Sequence, residues 1–225
     1  MISDSDRWDQ IHQKGFTDTE PHSNYAEEVE KLFPRASLIV DIGSGTGADA
    51  MYFLHQGHSV IALDISQFAL EALIKKAEQK GFSPKVVVKQ TDYGLHKLPI
   101  KDLTVDVVYS RISLNYFDAE HTARLFSDIY RILKLNGKAY LTLKSPNDPT
   151  EMEYLKVSTV LFEPNVFIEN GMLRSRFSID QLKEILMTKS LITDFSVRYF
   201  EEDIERKGMG HGPILHVNEV SFIKK

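Results

Sequence analysis

The chain has 225 residues and no cysteine, and its 27 lysines and arginines against 32 aspartates and glutamates give a formal net charge of −5. This length suits one domain with a sizeable core. The lack of cysteine excludes disulfide scaffolds, iron–sulfur clusters and thiolate nucleophiles. The acidic balance disfavours nucleic acid as a partner, and no apolar run approaches the ~18 residues of a membrane span. We therefore expect a soluble cytoplasmic protein with no membrane partner.

Short apolar runs alternate with helical patterns through the first part of the chain. The runs lie at 38–40, 60–63, 86–88, 105–109 and 138–144. Continuous apolar strands are typical of a parallel sheet that is covered on both faces. An apolar stripe at 68–77 predicts a helix that Ser66 caps and Gly81 ends, and a stripe at 125–133 predicts a helix that runs to Asn136. The alternation indicates an α/β fold with a doubly wound sheet.

The pattern changes after residue 145. Residues 146–177 have no clear period and predict an excursion from the core, and a helix follows at 178–190. Two strand-like stretches at 192–201 and 214–223 close the chain with no helix between them, which predicts an antiparallel hairpin at the sheet edge. We expect a single domain with four parts, namely a helical cap at 1–35, a cofactor-binding core at 36–145, a substrate-side excursion and helix at 146–190, and the hairpin at 191–225.

A glycine-rich turn carries the strongest chemical signal. The run Asp41-Ile42-Gly43-Ser44-Gly45-Thr46-Gly47 follows the first strand and leads into a helix. Glycines let the backbone approach a ligand closely, and a helix N-terminus offers free N–H groups. Asp64 ends the second strand, nineteen residues after Gly45. A carboxylate at that place can accept hydrogen bonds from both hydroxyls of a ribose.

Two cofactor classes fit this arrangement. Gly43-x-Gly45-x-x-Ala48 satisfies the dinucleotide fingerprint in its alanine-terminated form, and Asp64 suits NAD as well. Asp41 favours a cofactor that carries an amine at this end over a dinucleotide. Its negative charge would help to bind the amine, but it would lie unfavourably close to the pyrophosphate of a dinucleotide. Asp92 and Tyr93, after the third strand, can bind an adenine amino group and stack on its ring.

The order of these motifs resembles that of a class I S-adenosylmethionine (SAM)-dependent methyltransferase. The resemblance covers about residues 36–145 and includes, in order, Asp41 to Gly47, Ala62 to Ser66, Asp92, Val105 to Tyr109, and Ile129 to Lys138. It implies a Rossmann-like, seven-stranded, mostly parallel sheet with an antiparallel last strand. It also implies SAM as cofactor, no metal, and methyl transfer by direct in-line displacement. The front half, with an early Trp8, is similar to the small-molecule and tellurite-resistance-type enzymes, which implies a small-molecule acceptor.

The same resemblance implies a set of cofactor-binding residues. The methionine portion would be lined by Gly43, Ser44 and Gly45, with Asp41 toward its amine. The ribose would be bound by Asp64, and the adenine by Ile65, Asp92 and Tyr93. The methyl group and the acceptor would be bordered by Ser110 and Arg111, at the end of the fourth strand. No catalytic residue is assigned, because the family fold requires no fixed general base.

Two alternatives stay open at this point. An NAD(P)-binding oxidoreductase would use the same glycine turn, and a catalytically silent SAM-binding protein would need only the cofactor-binding residues. Arg174 and Arg176 are candidates for contact with an anionic acceptor and are equally compatible with a plain surface position. His211 is a further candidate, although a solvent-exposed turn is the favoured interpretation for it. No pattern in the sequence identifies the acceptor, the methylated atom or the oligomeric state.

Overall fold

The computed structural model describes residues 3–15, 20–190, 192–203 and 214–225. The helices are α1 (Asp4–Gly15), α2 (Asn24–Glu30), α3 (Ala48–His55), α4 (Gln67–Gln79), α5 (Ala119–Ile132), α6 (Pro149–Ser158) and α7 (Ile179–Glu184). The strands are β1 (Leu38–Ile42), β2 (Ser59–Asp64), β3 (Val86–Gln90), β4 (Val105–Arg111), β5 (Leu133–Lys144), β6 (Val160–Glu163), β7 (Val166–Glu169), β8 (Met172–Ser175), β9 (Phe195–Asp203) and β10 (Ile214–Ile223). Within these ranges, no helix is long and apolar enough to cross a membrane.

Seven strands form the central sheet, in the order β3-β2-β1-β4-β5-β10-β9. The first five of these strands pair in parallel, and β10 runs antiparallel to both β5 and β9. This arrangement confirms the Rossmann-like, doubly wound fold with an antiparallel last strand. The reversal between β1 and β4 matters for function, because the crevice at such a switch point, outside the carboxyl ends of the strands, is where α/β sheets bind ligands.

The two faces of the sheet carry separate apolar cores because side chains alternate along each strand. In β1, Ile39 packs into the core under α2, α3 and α4, whereas Val40 packs into the core under α5 and α7. Val107 and Val108 of β4 divide in the same way. All four side chains are fully buried. The strands thus carry the near-continuous apolar runs from which a two-sided sheet is expected.

Local capping signals agree with the structure in most places. The Ser66 side chain accepts a hydrogen bond from the backbone of Ala69 at the start of α4, and Gly81 follows that helix with a positive φ of 74°. The predicted helix at 178–190 is α7 together with a π-helical turn over Ile185–Lys189, and Ser178 forms a capping box with Gln181. These helix ends are fixed by hydrogen bonds between residues close in sequence, and they can therefore be predicted from the sequence.

One expectation was wrong. The helix predicted to reach Asn136 ends at Ile132, because Leu133 already pairs with Val105 as the first residue of β5. Asn136 instead has a φ of 64° and donates its backbone N–H to the Lys224 carbonyl. Tertiary pairing has overridden the local signal.

Residues 146–177, expected to be an excursion from the core, hold α6 and a separate three-stranded antiparallel sheet in the order β6-β7-β8. Each of these strands has only four residues, which is too short for a period to stand out.

Candidate functional site

A cavity of about 460 Å³ lies at the carboxyl ends of the parallel strands. Gly43, Asp64, Thr91 and Arg111 line it from the ends of β1, β2, β3 and β4. The ends of parallel strands meet at one edge of a sheet, so four segments that are distant in sequence converge there. The remaining wall comes from α1, from residues 112–117 and from the start of β8.

Gly43 occupies a place that no other residue fits. Its φ is 71°, and a Cβ there would overlap the Cβ of Ser113 and come within 3.0 Å of the Tyr93 hydroxyl. The N–H groups of Gly43 and Ser44 both donate to the Leu63 carbonyl, at 2.7 and 3.1 Å, and hold the turn against β2. The backbone at Gly43 therefore borders the cavity without a side chain in the way.

Asp64 is held in place by the glycine turn itself. Its Oδ2 accepts the N–H of Gly45 at 2.8 Å and its Oδ1 accepts the N–H of Ser66 at 2.8 Å. Burial raises the pKa of Asp64, and the two backbone hydrogen bonds and nearby His12 partly offset that rise. A carboxylate oxygen can accept more than one hydrogen bond, so Asp64 keeps capacity for a ligand hydroxyl.

Asp41 lies below the cavity and is not among its lining residues. It is buried within β1, and burial, followed by the charges of Asp49 and Asp64, raises its pKa well above the ordinary value. Asp49 accepts hydrogen bonds from the Tyr109 hydroxyl at 2.6 Å and from the Ser23 side chain at 2.9 Å. The turn therefore rests on a cluster of three acidic side chains, and their proximity favours the neutral form of Asp41.

Ser44 and Gly45 also lie outside the cavity lining. The Oγ of Ser44 is buried and has no hydrogen-bond partner among the described residues. An unsatisfied buried hydroxyl is uncommon and is often explained by a group that binds there.

The adenine-side residues predicted from the sequence do line the cavity: Ile65, Asp92 and Tyr93. Asp92 Oδ1 accepts the N–H groups of Gly94 and Leu95, at 3.0 and 3.2 Å, so its orientation is fixed by its own turn. The Tyr93 ring meets the Phe117 ring edge-on at 5.8 Å between centroids. Burial raises the pKa of Tyr93, so the phenol stays protonated near neutral pH.

The two residues predicted beside the methyl group differ from each other. Ser110 is fully buried, and its Oγ donates to the Ile42 carbonyl at 2.9 Å, below the cavity. Arg111 lines the cavity, and its Nε and Nη2 donate to one oxygen of Glu202 at 3.2 and 2.8 Å. Burial lowers the pKa of Arg111, but the charge of Glu202 outweighs it and the net shift is upward. The guanidinium is therefore a permanent cation that is already neutralised.

The wall from α1 and residues 112–117 was not assigned from the sequence. Asp4, Trp8 and His12 line the cavity at a spacing of four residues, which puts them on one face of α1. Trp8 meets the Tyr116 ring edge-on at 5.1 Å. The spacing is visible in the sequence, but α1 buries none of its residues and so has no apolar stripe that would predict where it docks.

Ile112 shows that this wall is under backbone strain. Its φ is 55°, a left-handed conformation that β-branched residues rarely adopt. Its N–H donates to the Thr142 carbonyl at 3.0 Å and its carbonyl accepts the Asn115 side chain at 2.7 Å, which holds the conformation. Strain of this kind costs about 1–3 kcal/mol and gathers at functional sites.

The structure shows the partners of two of the three residues that were candidates for contact with the acceptor. Arg176 is buried and makes two hydrogen bonds to Glu151, at 2.8 and 2.9 Å. Arg174 pairs with Glu169 at 2.8 Å and lies over the Tyr116 ring, 5.0 Å from its centroid. Both cations therefore have structural partners. His211 lies outside the described residues.

Comparison with known proteins adds independent information. Residues 39–137 match the family model described as a methyltransferase domain. The chain is 30% identical over 120 residues to malonyl-[acyl-carrier protein] O-methyltransferase of Pectobacterium atrosepticum, an overlap of 52% of this chain and 44% of that protein. The chain thus spans less than half the length of that curated relative.

Two solved structures share the fold. A SAM-dependent methyltransferase from Methanosarcina mazei aligns with a TM-score of 0.70 at 18% identity, over 88% of this chain and 96% of that one. The 1,6-didemethyltoxoflavin-N1-methyltransferase of Burkholderia thailandensis, solved with S-adenosylhomocysteine, aligns with a TM-score of 0.63 at 17% identity, over 89% and 76%. At these identities the likeness concerns the fold alone.

Proposed function

We propose that this chain, whose residues 39–137 match the methyltransferase domain family, is a class I SAM-dependent methyltransferase that moves the methyl group of SAM to a small-molecule acceptor. The observation that carries the proposal is the position of Asp64, a buried carboxylate fixed by two backbone N–H groups at the cavity edge. The didemethyltoxoflavin enzyme with the same fold supports the small-molecule part. We also propose a cytoplasmic location, as expected from the sequence.

The residues present fit the cofactor. The bare backbone at Gly43 leaves room beside the cavity, and the unsatisfied hydroxyl of Ser44 adds a polar group to the same turn. Asp64 has capacity for the ribose hydroxyls, and Ile65 offers an apolar surface for the adenine ring. We therefore keep all ten cofactor-binding residues as part of the proposal, with Asp41 and Ser110 acting from beneath the cavity.

SAM supplies an already activated methyl group when it is bound. The work of the chain is then to place the acceptor in line with that group and to exclude water. The acidic side chains of Asp41, Asp49 and Asp64 cluster beneath the turn and can accept hydrogen bonds from an amine of the cofactor, and α1 forms part of the cavity wall. No side chain needs to act as a nucleophile, in keeping with a chain that has no cysteine.

The alternative of a nicotinamide-dependent oxidoreductase is not favoured. The family model that matches the glycine turn is a methyltransferase domain, and the aligned structures are methyltransferases.

Calorimetric titration with S-adenosylhomocysteine and with NADH tests the proposal. We expect saturable binding of S-adenosylhomocysteine and no binding of NADH. Binding of NADH alone would overturn the assignment. A labelled-methyl screen against small-molecule extracts then separates an enzyme from a silent SAM-binding protein, since the latter would bind without transferring label.

A further inference from the structure

We infer that the acceptor is an uncharged, planar aromatic compound, and that carboxylated or phosphorylated acceptors are disfavoured. This inference rests on the proposed function and names the substrate class of the same cavity. It is carried by two observations: the aromatic lining that α1 and residues 112–117 contribute, and the pairing of the nearby arginines with carboxylates.

Aromatic rings are prominent among the lining residues that are not assigned to the cofactor. Trp8 and Tyr116 meet edge-on at 5.1 Å, and Phe117 of the same lining meets the cofactor-side Tyr93 edge-on at 5.8 Å. Met172 and Leu173, from β8, add apolar surface on the same side. Aromatic rings favour offset-stacked or edge-on neighbours, so walls of this composition suit a flat aromatic ligand.

The arginines beside this wall are already paired with carboxylates and offer little positive charge to an anionic acceptor. Among the described lining residues, Arg111 is the one permanent cation, and both of its bonded nitrogens contact the same Glu202 oxygen. Arg174 lies behind the Tyr116 ring and is paired with Glu169. Asp64, at the cavity edge, is acidic.

An anionic acceptor would therefore lose its water without gaining a free cation. Removal of a carboxylate from water costs far more than one neutral hydrogen bond returns, unless a charged partner compensates. Arg111 could compensate only by giving up Glu202, a buried carboxylate that would then lack its partner. An uncharged aromatic acceptor avoids the cost of removing a charge from water and leaves the Arg111–Glu202 pair intact.

The chain provides its own probe for this inference. Trp8 is the sole tryptophan of the sequence and lines the cavity, so tryptophan emission reports on ligands that enter it. The protein is first saturated with S-adenosylhomocysteine and then titrated with catechol or with its carboxylated congener, 3,4-dihydroxybenzoate. The Trp8→Phe variant, which has no tryptophan, corrects for absorption by the probes.

We expect catechol to change the emission with a dissociation constant at least tenfold lower than that of 3,4-dihydroxybenzoate. Equal affinities, tighter binding of the carboxylate, or no response to either probe would overturn the inference. Failure of S-adenosylhomocysteine to bind in the first step would instead overturn the proposed function. The two failures are therefore distinct.

A charge variant tests the cause of the preference. Glu202→Gln keeps the shape of the side chain but frees the charge of Arg111, so we expect the affinity for 3,4-dihydroxybenzoate to rise at least fivefold while that for catechol stays unchanged. Glu219→Gln is the matched control, because Glu219 is also buried and pairs with an arginine, Arg198, away from the cavity. A rise of the same size in both variants would show that the Arg111–Glu202 pair does not set the preference.

Discussion

The two sides of the cavity are built in different ways. The cofactor half, which comprises the turn at 43–47, Asp64 and residues 91–93, is held mainly by backbone hydrogen bonds at strand ends. The acceptor half, which comprises α1, residues 112–117 and residues 171–173, is assembled from side chains of three segments far apart in sequence. Backbone geometry tolerates few substitutions, whereas side-chain walls can be exchanged. This contrast supports the proposal that the first half binds the cofactor and the second the acceptor.

The largest effect is expected from Gly43→Ala, which attacks the backbone geometry of the cofactor half. The added Cβ would overlap Ser113 in a residue with a φ of 71°. We expect the affinity for S-adenosylhomocysteine to fall at least 100-fold, together with a loss of about 3 kcal/mol in unfolding free energy from strain and overpacking. Calorimetry and urea denaturation measure the two quantities.

Gly57→Ala is the matched control for that change. Gly57 has a φ of 94°, but a Cβ there meets no atom within 4 Å among the described residues. It should lose about 1–2 kcal/mol of stability from backbone strain alone and bind S-adenosylhomocysteine normally. Equal loss of affinity in both variants would mean that general destabilisation, and not the turn, explains the result.

Asp64→Ala removes the side chain that faces both the turn and the ligand. We expect binding of S-adenosylhomocysteine to weaken about 10–100-fold, or 1–3 kcal/mol, since the ribose hydroxyls lose a charged acceptor. Asp106→Ala is the control: this carboxylate accepts the N–H of Leu38 at 2.8 Å, but at the opposite end of the sheet. Unchanged affinity in Asp64→Ala would remove Asp64 from the site.

The contrast between the halves also explains what the sequence could predict. The glycine turn, Asp64 and Asp92 are recognisable because each lies at a strand end whose position follows from the apolar pattern. Trp8 and Leu173 reach the cavity only through tertiary packing, and neither lies in an amphipathic element that points to its neighbour. The pairing of Arg111 with Glu202 could not be predicted from the sequence either, because the two residues are ninety-one positions apart along the chain.

Acid should weaken the contact between α6 and Arg176, which follows β8. Burial raises the pKa of Glu151, but the hydrogen bonds and charges of Arg176 and Lys144 outweigh burial and lower it to about 2. A carboxylate with a lowered pKa stabilises the fold above its unfolded pKa of about 4.5 and loses that contribution as pH falls toward 2. We expect on the order of 1–2 kcal/mol, discounted because the side chain is 21% exposed.

Urea denaturation at about pH 6 and about pH 3 measures this contribution. Glu151→Gln should be less stable than the wild type at the higher pH. The difference should shrink at the lower pH, because the Glu151 carboxyl is then protonated in the unfolded chain while it stays mostly ionised in the folded one. Glu153→Gln, an exposed position on the same helix, should show no such pattern. A difference independent of pH would mean that shape, and not charge, stabilises this region.

The smallest effect should come from Asp9→Ala, which loosens α1 from the cofactor half. Asp9 accepts hydrogen bonds from the Ser66 hydroxyl at 2.5 Å and the Phe68 N–H at 3.1 Å, and α1 buries no residue, so such polar contacts are its main attachment. At about 1 kcal/mol, their loss should speed dissociation of S-adenosylhomocysteine about fivefold, measured by stopped-flow emission of Trp8. Asp6→Ala, whose hydrogen bonds join it to Ser3 at the start of α1, should leave the rate unchanged. An unchanged rate in Asp9→Ala would mean that α1 only walls the acceptor half, whereas the expected increase would make α1 the element through which the two halves communicate.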